Sequence, residues 1–365
     1  MSIKNDIKYL KKTFALAKRA EGLVSPDPLV GAVVVKNGKI VGKGYHKKFK
    51  SDHAEAIALA DAAENTVGST LYVNLEPCCH WGNNPPCTDV IINSGVRKVV
   101  FAIDDPNPLM NNCSSLQLLT KAGIKVDRGL LQEEAGELNK FFLKYITEDI
   151  PFVTLKMATT LDGKTADRFG NSKWISNEQS RKNVQLLRFQ HDAICVGVNT
   201  VICDDPRLSV RMSRKKKELV KVILDKDFKI PLQAKLLSLP GPIFVYIDKD
   251  KWKKDKAMVL KKKQVQIISI SKESFINKVL IDLGQRKIMS LLVEGGASVA
   301  SSFLQEGAID QLILFKSPKI LADNFANPIF SSAVPCRIEK VINNMYLKKI
   351  DKYGDDLCLI YRFYV

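Results

Sequence analysis

No apolar run in the chain reaches the length of a bilayer crossing, so no segment reads as a membrane span. The first residues, Met1-Ser2-Ile3-Lys4-Asn5-Asp6, have no apolar signal core and no small-residue cleavage site. The expected location is the cytoplasm. In that compartment the eight cysteines are not expected to form a disulfide framework. No G-x-G-x-x-G opens a helix, which excludes a Rossmann dinucleotide site by its fingerprint. Acidic residues are outnumbered, 39 against 56 basic ones, leaving a net charge of +17. That excess suits a nucleic-acid partner. The basic runs point elsewhere. Arg214-Lys215-Lys216-Lys217 and Lys261-Lys262-Lys263 have no interleaved aromatics, so they read as solvated surface. A phosphorylated small substrate would gain from the same positive field.

What the chain does have is concentrated between residues 53 and 87. His53-Ala54-Glu55 comes first, then Leu75-Glu76-Pro77-Cys78, then Pro85-Pro86-Cys87. One imidazole and two thiols are the ligand count of a catalytic zinc with its fourth position open. A helix starting at His53 would aim His53 at the metal and Glu55 at whatever the metal binds. Zinc brings the pKa of water down to about 7, and a nearby carboxylate can pass the proton to departing ammonia. The order matches the H-x-E…P-C pattern of zinc nucleobase deaminases. Singly, such a cysteine is more often core packing and such a histidine a hydrogen-bonded structural residue. The ordered set carries the reading. Cys79 and His80 are rival ligands. Cys79 is expected to point away and His80 to face substrate. Cys113, Cys195, Cys203, Cys336 and Cys358 are scattered and read as inert.

At 365 residues the chain should form about two domains. Residues 5–21 carry apolar side chains at helical steps, and Ser25-Pro26-Asp27-Pro28 breaks them. Residues 30–35 read as a buried strand, and Asn37-Gly38 as a two-residue hairpin turn. Residues 70–75 form a strand that delivers Cys78. Pro86 suits the start of a helix carrying Cys87. Another strand covers 97–103, and residues 131–145 read as one linking helix ahead of Asp149-Ile150-Pro151. Beyond it, short apolar runs at 152–158, 193–198, 220–225, 243–247 and 290–294 suit central parallel strands of a layered α/β domain. Glu294-Gly295-Gly296-Ala297-Ser298 stands at a strand-to-helix turn, where backbone N–H groups attract phosphate. After residue 330 the sequence is less informative.

The eight residues between Cys78 and Cys87, ending in Pro85-Pro86-Cys87, resemble the bifunctional riboflavin-biosynthesis deaminase/reductase family. The resemblance runs over nearly the whole chain. It implies an α/β fold of two parts: a cytidine-deaminase-like α/β/α domain over 1–148 and a dihydrofolate-reductase-like α/β domain over 149–365. It implies Zn2+ on His53, Cys78 and Cys87, with Glu55 as the catalytic proton carrier. It also implies NADPH on Ala158, Trp174, Thr200, Asp204 and the run Gly296, Ala297, Ser298, Val299, Ala300, Ser301 and Ser302. Ser172, Arg188, Leu208, Arg211 and Glu294 would contact substrate, two arginines holding its phosphate bidentately. Asp204 is the candidate acid for the proton that accompanies hydride. Lys226 stands where the family has a small hydroxyl residue and is not counted as a contact.

The implied reactions are hydrolytic deamination of a diamino-phosphoribosylaminopyrimidinone and reduction of its ribosyl side chain to ribityl. The implied partners are small phosphoribosyl-pyrimidines, with a homo-oligomeric state and without nucleic acid. Asp27 replaces the family's Asn, and Asn83 and Cys113 stand where cations are usual. Those departures motivate a rival reading, a reductase whose front domain survives as a zinc-stabilised, inactive scaffold.

Overall fold

The computed structural model describes residues 2–212, 217–331 and 344–364. Two compact units divide the chain, Met1–Asp149 and Ile150–Val365.

The first unit opens with α1 (Ile3–Ala17), which ends in a short 3-10 turn at Lys18–Ala20. A hairpin follows, β1 (Gly31–Lys36) and β2 (Lys39–Tyr45). Asn37 and Gly38 both take positive φ, 49° and 75°, as a tight two-residue turn of matching twist requires. Then come α2 (Ala54–Ala62), β3 (Thr70–Leu75), α3 (Cys87–Asn93) and β4 (Lys98–Ile103). The unit closes with α4 (Ser115–Lys121), β5 (Lys125–Arg128), α5 (Gln132–Leu138) and α6 (Lys140–Glu148). The sheet order is β2-β1-β3-β4-β5, antiparallel on the hairpin side and parallel from β3 to β5.

The helix expected over 131–145 is two helices. Asn139 interrupts it because its buried amide serves the chain at Leu29 instead: Oδ1 accepts from Leu29 N at 2.8 Å, and Nδ2 donates to Leu29 O. Asn74 on β3 grips the same segment through Leu29 O and Gly31 N.

Close approach seats α2. A methyl on Gly44 of β2 would lie 2.2 Å from the Ala54 carbonyl oxygen, and one on Gly42 would lie 2.2 Å from that of Ala58. Ala54, Ala58 and Ala62 recur every four residues, presenting one small-residue face to that strand. His53 and Glu55 are thereby fixed at the strand's end.

The second unit contains β6 (Phe152–Thr159), β7 (Lys164–Ala166), α7 (Glu178–Gln190), β8 (Ala193–Gly197) and α8 (Val198–Asp204). It continues with β9 (Val220–Leu224), β10 (Ile243–Asp248), α9 (Lys254–Lys262) and β11 (Val265–Ile270). Then follow α10 (Phe275–Gln285), β12 (Ser290–Val293), α11 (Ala297–Gln305) and β13 (Gln311–Lys316). The last strands are β14 (Asn327–Pro328), β15 (Met345–Tyr353) and β16 (Asp356–Phe363).

The nine-stranded sheet runs β11-β10-β9-β8-β12-β6-β13-β16-β15. It is parallel from β11 to β13, and its last two strands are antiparallel. The apolar runs are its central strands, buried on both faces as parallel strands are. The chain beyond residue 344 closes one edge, which the sequence left open. No helix among the described residues is long and apolar enough to cross a membrane.

Candidate active sites

In the first unit, β3 leads to Cys78, α3 begins at Cys87, and His53 caps the start of α2. His53 Nδ1 lies 3.1 Å from Cys87 Sγ and 3.5 Å from Cys78 Sγ. One donor atom from each residue falls within 4.8 Å of the other two. An imidazole and two thiols converging from three elements fit zinc, which takes these donors tetrahedrally with a fourth position for water.

The protonation of the three groups is shared. Cys78 is held down to about 4, first by the hydrogen bond from the Cys87 side chain and then by His53 and the Cys87 N–H. His53 is pushed up to about 9, chiefly by its hydrogen bond to Cys78. The Cys87 thiol is raised by donating to Cys78 and by burial.

Glu55 is 3% exposed, in the first turn of α2 beside this cluster. Burial pushes its carboxyl up, and His53 only partly offsets that. A carboxyl raised this way can hold a proton nearer neutrality.

Glu76, just before Cys78, accepts from Ser115 Oγ at 2.5 Å and from Asp105 N at 3.1 Å. It ties the turn before Cys78 to the segment after β4. The half-buried Asp105 beside it is raised by desolvation to about 6.

Asp27 does not stand as a bare carboxylate. His46 Nε2 lies 2.9 Å from its Oδ2, the Lys50 N–H donates to the same oxygen, and the His46 ring meets His53 edge-on.

Cys113, expected to be inert, is bonded to Cys79 across 34 residues. The bridge joins the loop between the two metal-type cysteines to the loop after β4. The sequence treated each cysteine alone, and their pairing is a tertiary contact. Cys79 is thus removed as a rival ligand. Cys195 and Cys358 are buried, Cys203 is exposed, and Cys336 lies outside the described residues. His80 is half-buried, its Nδ1 3.3 Å from Trp81 O.

The second unit has a cleft of about 1000 Å³ at the carboxyl ends of its parallel strands, where open α/β sheets bind ligands. Ala158, Trp174, Thr200, Asp204, Gly296 through Val299 and Ser302 line it, as do Ser172, Arg188, Leu208, Arg211 and Glu294. Ala300 and Ser301 do not: both are buried, and Ser301 Oγ donates to Ala297 O.

The glycine turn fits a dinucleotide phosphate. A methyl on Gly296 would meet nothing within 4 Å, and among the described residues no side chain caps the first N–H groups of α11. Those donors stay free for an anion.

The floor of the cleft is a buried ion cluster. Arg188 Nε donates to Glu294 Oε1 at 2.6 Å, its second nitrogen reaches Oε2 at 3.1 Å, and Lys156 Nζ lies 3.4 Å from Oε2. Burial would raise Glu294, but Arg188 and then Lys156 outweigh it and hold the carboxyl down to about 2. The Arg188 fork is therefore committed to Glu294 and to Ser209 O, rather than lying free to clamp a phosphate. Lys156 belongs with these two, a partnership that strand position alone did not reveal. Asp204 ends α8 with Lys173 Nζ at 3.8 Å, and the Arg181 guanidinium stands 4.5 Å over the Trp174 ring.

Two family models match the chain. The cytidine and deoxycytidylate deaminase zinc-binding region covers residues 3–103, and the RibD C-terminal domain covers 151–359. The riboflavin biosynthesis protein RibD of Aquifex aeolicus is 45% identical over 98% of this chain and 99% of its own. That of Escherichia coli K12 is 34% identical over 96% and 97%. Among solved structures, Acinetobacter baumannii RibD superposes with a TM-score of 0.89, at 34% identity over the whole of both chains. A Thermotoga maritima diaminohydroxyphosphoribosylaminopyrimidine deaminase/5-amino-6-(5-phosphoribosylamino)uracil reductase gives 0.88, at 34% identity over 99% of each.

Proposed function

The chain belongs to the RibD family of riboflavin biosynthesis, and from that premise we propose which of its residues carry the family's two reactions. It is a bifunctional enzyme of small pyrimidines, a zinc-dependent deaminase joined to an NADPH-dependent reductase. It hydrolytically deaminates 2,5-diamino-6-(5-phosphoribosylamino)pyrimidin-4-one and then reduces the ribosyl side chain to ribityl.

In the first unit His53 Nδ1, Cys78 Sγ and Cys87 Sγ would hold the zinc. The metal, when bound, supplies the Lewis acidity that makes water nucleophilic near neutral pH. Glu55 takes the proton of the attacking water on its carboxylate and returns it to the departing amine. Its burial supports that role, because desolvation raises the proton affinity of the carboxyl. Asp27, paired with His46, offers an acceptor to the amino groups of the pyrimidine where the family's Asn would donate as well.

In the second unit the cofactor supplies hydride. The turn at Gly296 and the start of α11 hold its pyrophosphate. Glu294, oriented by Arg188 and Lys156, accepts from a ribose hydroxyl, and Arg211 holds the substrate phosphate. Asp204 gives the accompanying proton.

The proposal extends to a cytoplasmic homo-oligomer that takes no nucleic acid. Exposed Tyr346, Leu347 and Ile350 along β15, the edge strand of the large sheet, support the oligomer. The observation that carries the deaminase assignment is the convergence of one imidazole and two thiols beside a buried carboxyl. The test is ammonia release from the diaminopyrimidine, with and without chelator, alongside NADPH oxidation on the deaminated product. Ammonia release that chelator does not touch would overturn the assignment.

A further inference from the structure

Lys226 lies two residues beyond β9, in the same cleft as the Gly295-Gly296 turn. Its ammonium stands 4.8 Å over the ring of Phe275, which is fully buried and so gives it a fixed support. The acids beside it are occupied. Asp225 accepts from the N–H groups of Lys229 and Ile230 at 2.7 Å each, and Asp227 pairs with Lys229 Nζ at 2.7 Å. Among the described residues no carboxylate is paired with Lys226. The other lysines of the cleft differ: Lys156 is tied to Glu294, Lys173 to Asp204 and Lys229 to Asp227.

Register places this cation relative to the phosphate turn. β12 pairs with β8 through Val293 and Cys195, and β8 pairs with β9 through Gly197 and Leu224. Gly295 and Gly197 thus end at one level, and a methyl on either would collide with the same Val299 side chain. Lys226 emerges just past that level, two strand spacings from the glycine turn, or roughly 10 Å. The Lys156–Glu294 pair lies at the turn's other side, on β6 and at the end of β12. With substrate placed at Glu294, as proposed above, a dinucleotide whose pyrophosphate rests on the turn puts its reacting ring toward Lys156 and Glu294. Its adenosine half then runs over Gly197 toward Lys226.

NADPH differs from NADH only by a phosphate monoester on the adenosine ribose. We propose that Lys226 grips that phosphate and so sets the preference of this cleft for NADPH over NADH. The inference rests on the reading of the cleft as the cofactor site. A lysine ammonium is a compact point charge with three donors, which suits a dianionic monoester.

The test is equilibrium binding to the full-length protein by calorimetry. Lys226→Ser should weaken NADP+ about tenfold to a hundredfold, the range of one charge-assisted hydrogen bond. NAD+ affinity should change less than about twofold, because that ligand never met the charge. 2′-AMP should lose as much as NADP+, while ribose 5-phosphate, standing for the substrate handle, should lose nothing. Retained NAD+ binding reports that the variant is folded. Arg207 also lines the cleft and is the rival cation. Equal weakening of NADP+ and NAD+, a loss confined to ribose 5-phosphate, or a loss that follows Arg207→Ser instead would overturn the assignment to Lys226. If the unaltered protein bound neither dinucleotide, the reading of the cleft as the cofactor site would fall first.

Discussion

Replacing Arg188 with Met removes the two short bonds that hold Glu294 and leaves Lys156, at 3.4 Å, as its only charged partner among the described residues. Both members of the Arg188–Glu294 pair are nearly buried, with side-chain exposures of 13% and 11%, so solvent screens them little. Holding the Glu294 carboxyl at about 2 rather than at its ordinary 4.5 corresponds to roughly 3 kcal/mol, shared between Arg188 and Lys156. Stranding one partner of a buried pair costs a similar amount, about 3–5 kcal/mol. The expected loss for Arg188→Met at pH 7 is therefore about 3 kcal/mol. Because the folded value is depressed, this stabilisation is complete above about 4.5 and fades as pH falls toward 2. The penalty of the variant should shrink over the same window. Neutralising the carboxylate as well, in Arg188→Met/Glu294→Gln, should recover about 2 kcal/mol. The assay is urea unfolding followed by hydrogen exchange of the β12 amides, which report the second unit alone. A coupling under about 0.5 kcal/mol would refute the reasoning, as would a penalty that ignores pH.

Gly44→Ala should push α2 off β2, costing about 1–3 kcal/mol, and should release zinc on dialysis while leaving NADPH oxidation on the deaminated product intact. Retained metal would show that α2 tolerates the methyl. Non-reducing peptide mapping should recover Cys79 and Cys113 as one linked peptide. Cleaving that bond, which spans 34 residues, should destabilise the first unit by about 4 kcal/mol in the chain-entropy account. Recovery of two free-thiol peptides would contradict the pairing. Zinc loading at pH 7 should release about two protons per chain, one from His53 and one from Cys87, as calorimetry in buffers of different ionisation enthalpy would measure. Release near zero would mean that His53 is already neutral and Cys87 already ionised before the metal binds.

The sequence disclosed the deaminase half best where chemistry demands local spelling. His53, Glu55, Cys78 and Cys87 sit at strand ends and helix starts that short motifs describe. The central strands were legible because burial on both faces makes them continuous apolar runs. Long-range partners were not. Asn139 breaks a helix for the sake of Leu29, 110 residues away. Cys79 and Cys113 come from different loops, and nothing around either announces the other. Arg188 reads as a phosphate clamp until the fold sets Glu294 against it. Strands β15 and β16 alternate weakly, the first mostly exposed and the second half-buried, so their placement waits on the edge they cover.

The metal-centred hydrolytic site should work independently of the reductase cleft, and Glu55→Gln probes that most directly. Purified variant protein should carry about one zinc per chain, as the unaltered protein does, because no ligand has changed. Its ammonia release should fall about a hundredfold to ten-thousandfold, the usual contribution of a positioned proton carrier. Its NADPH oxidation on the deaminated pyrimidine should be unchanged. Undiminished ammonia release from that zinc-loaded variant would contradict the account.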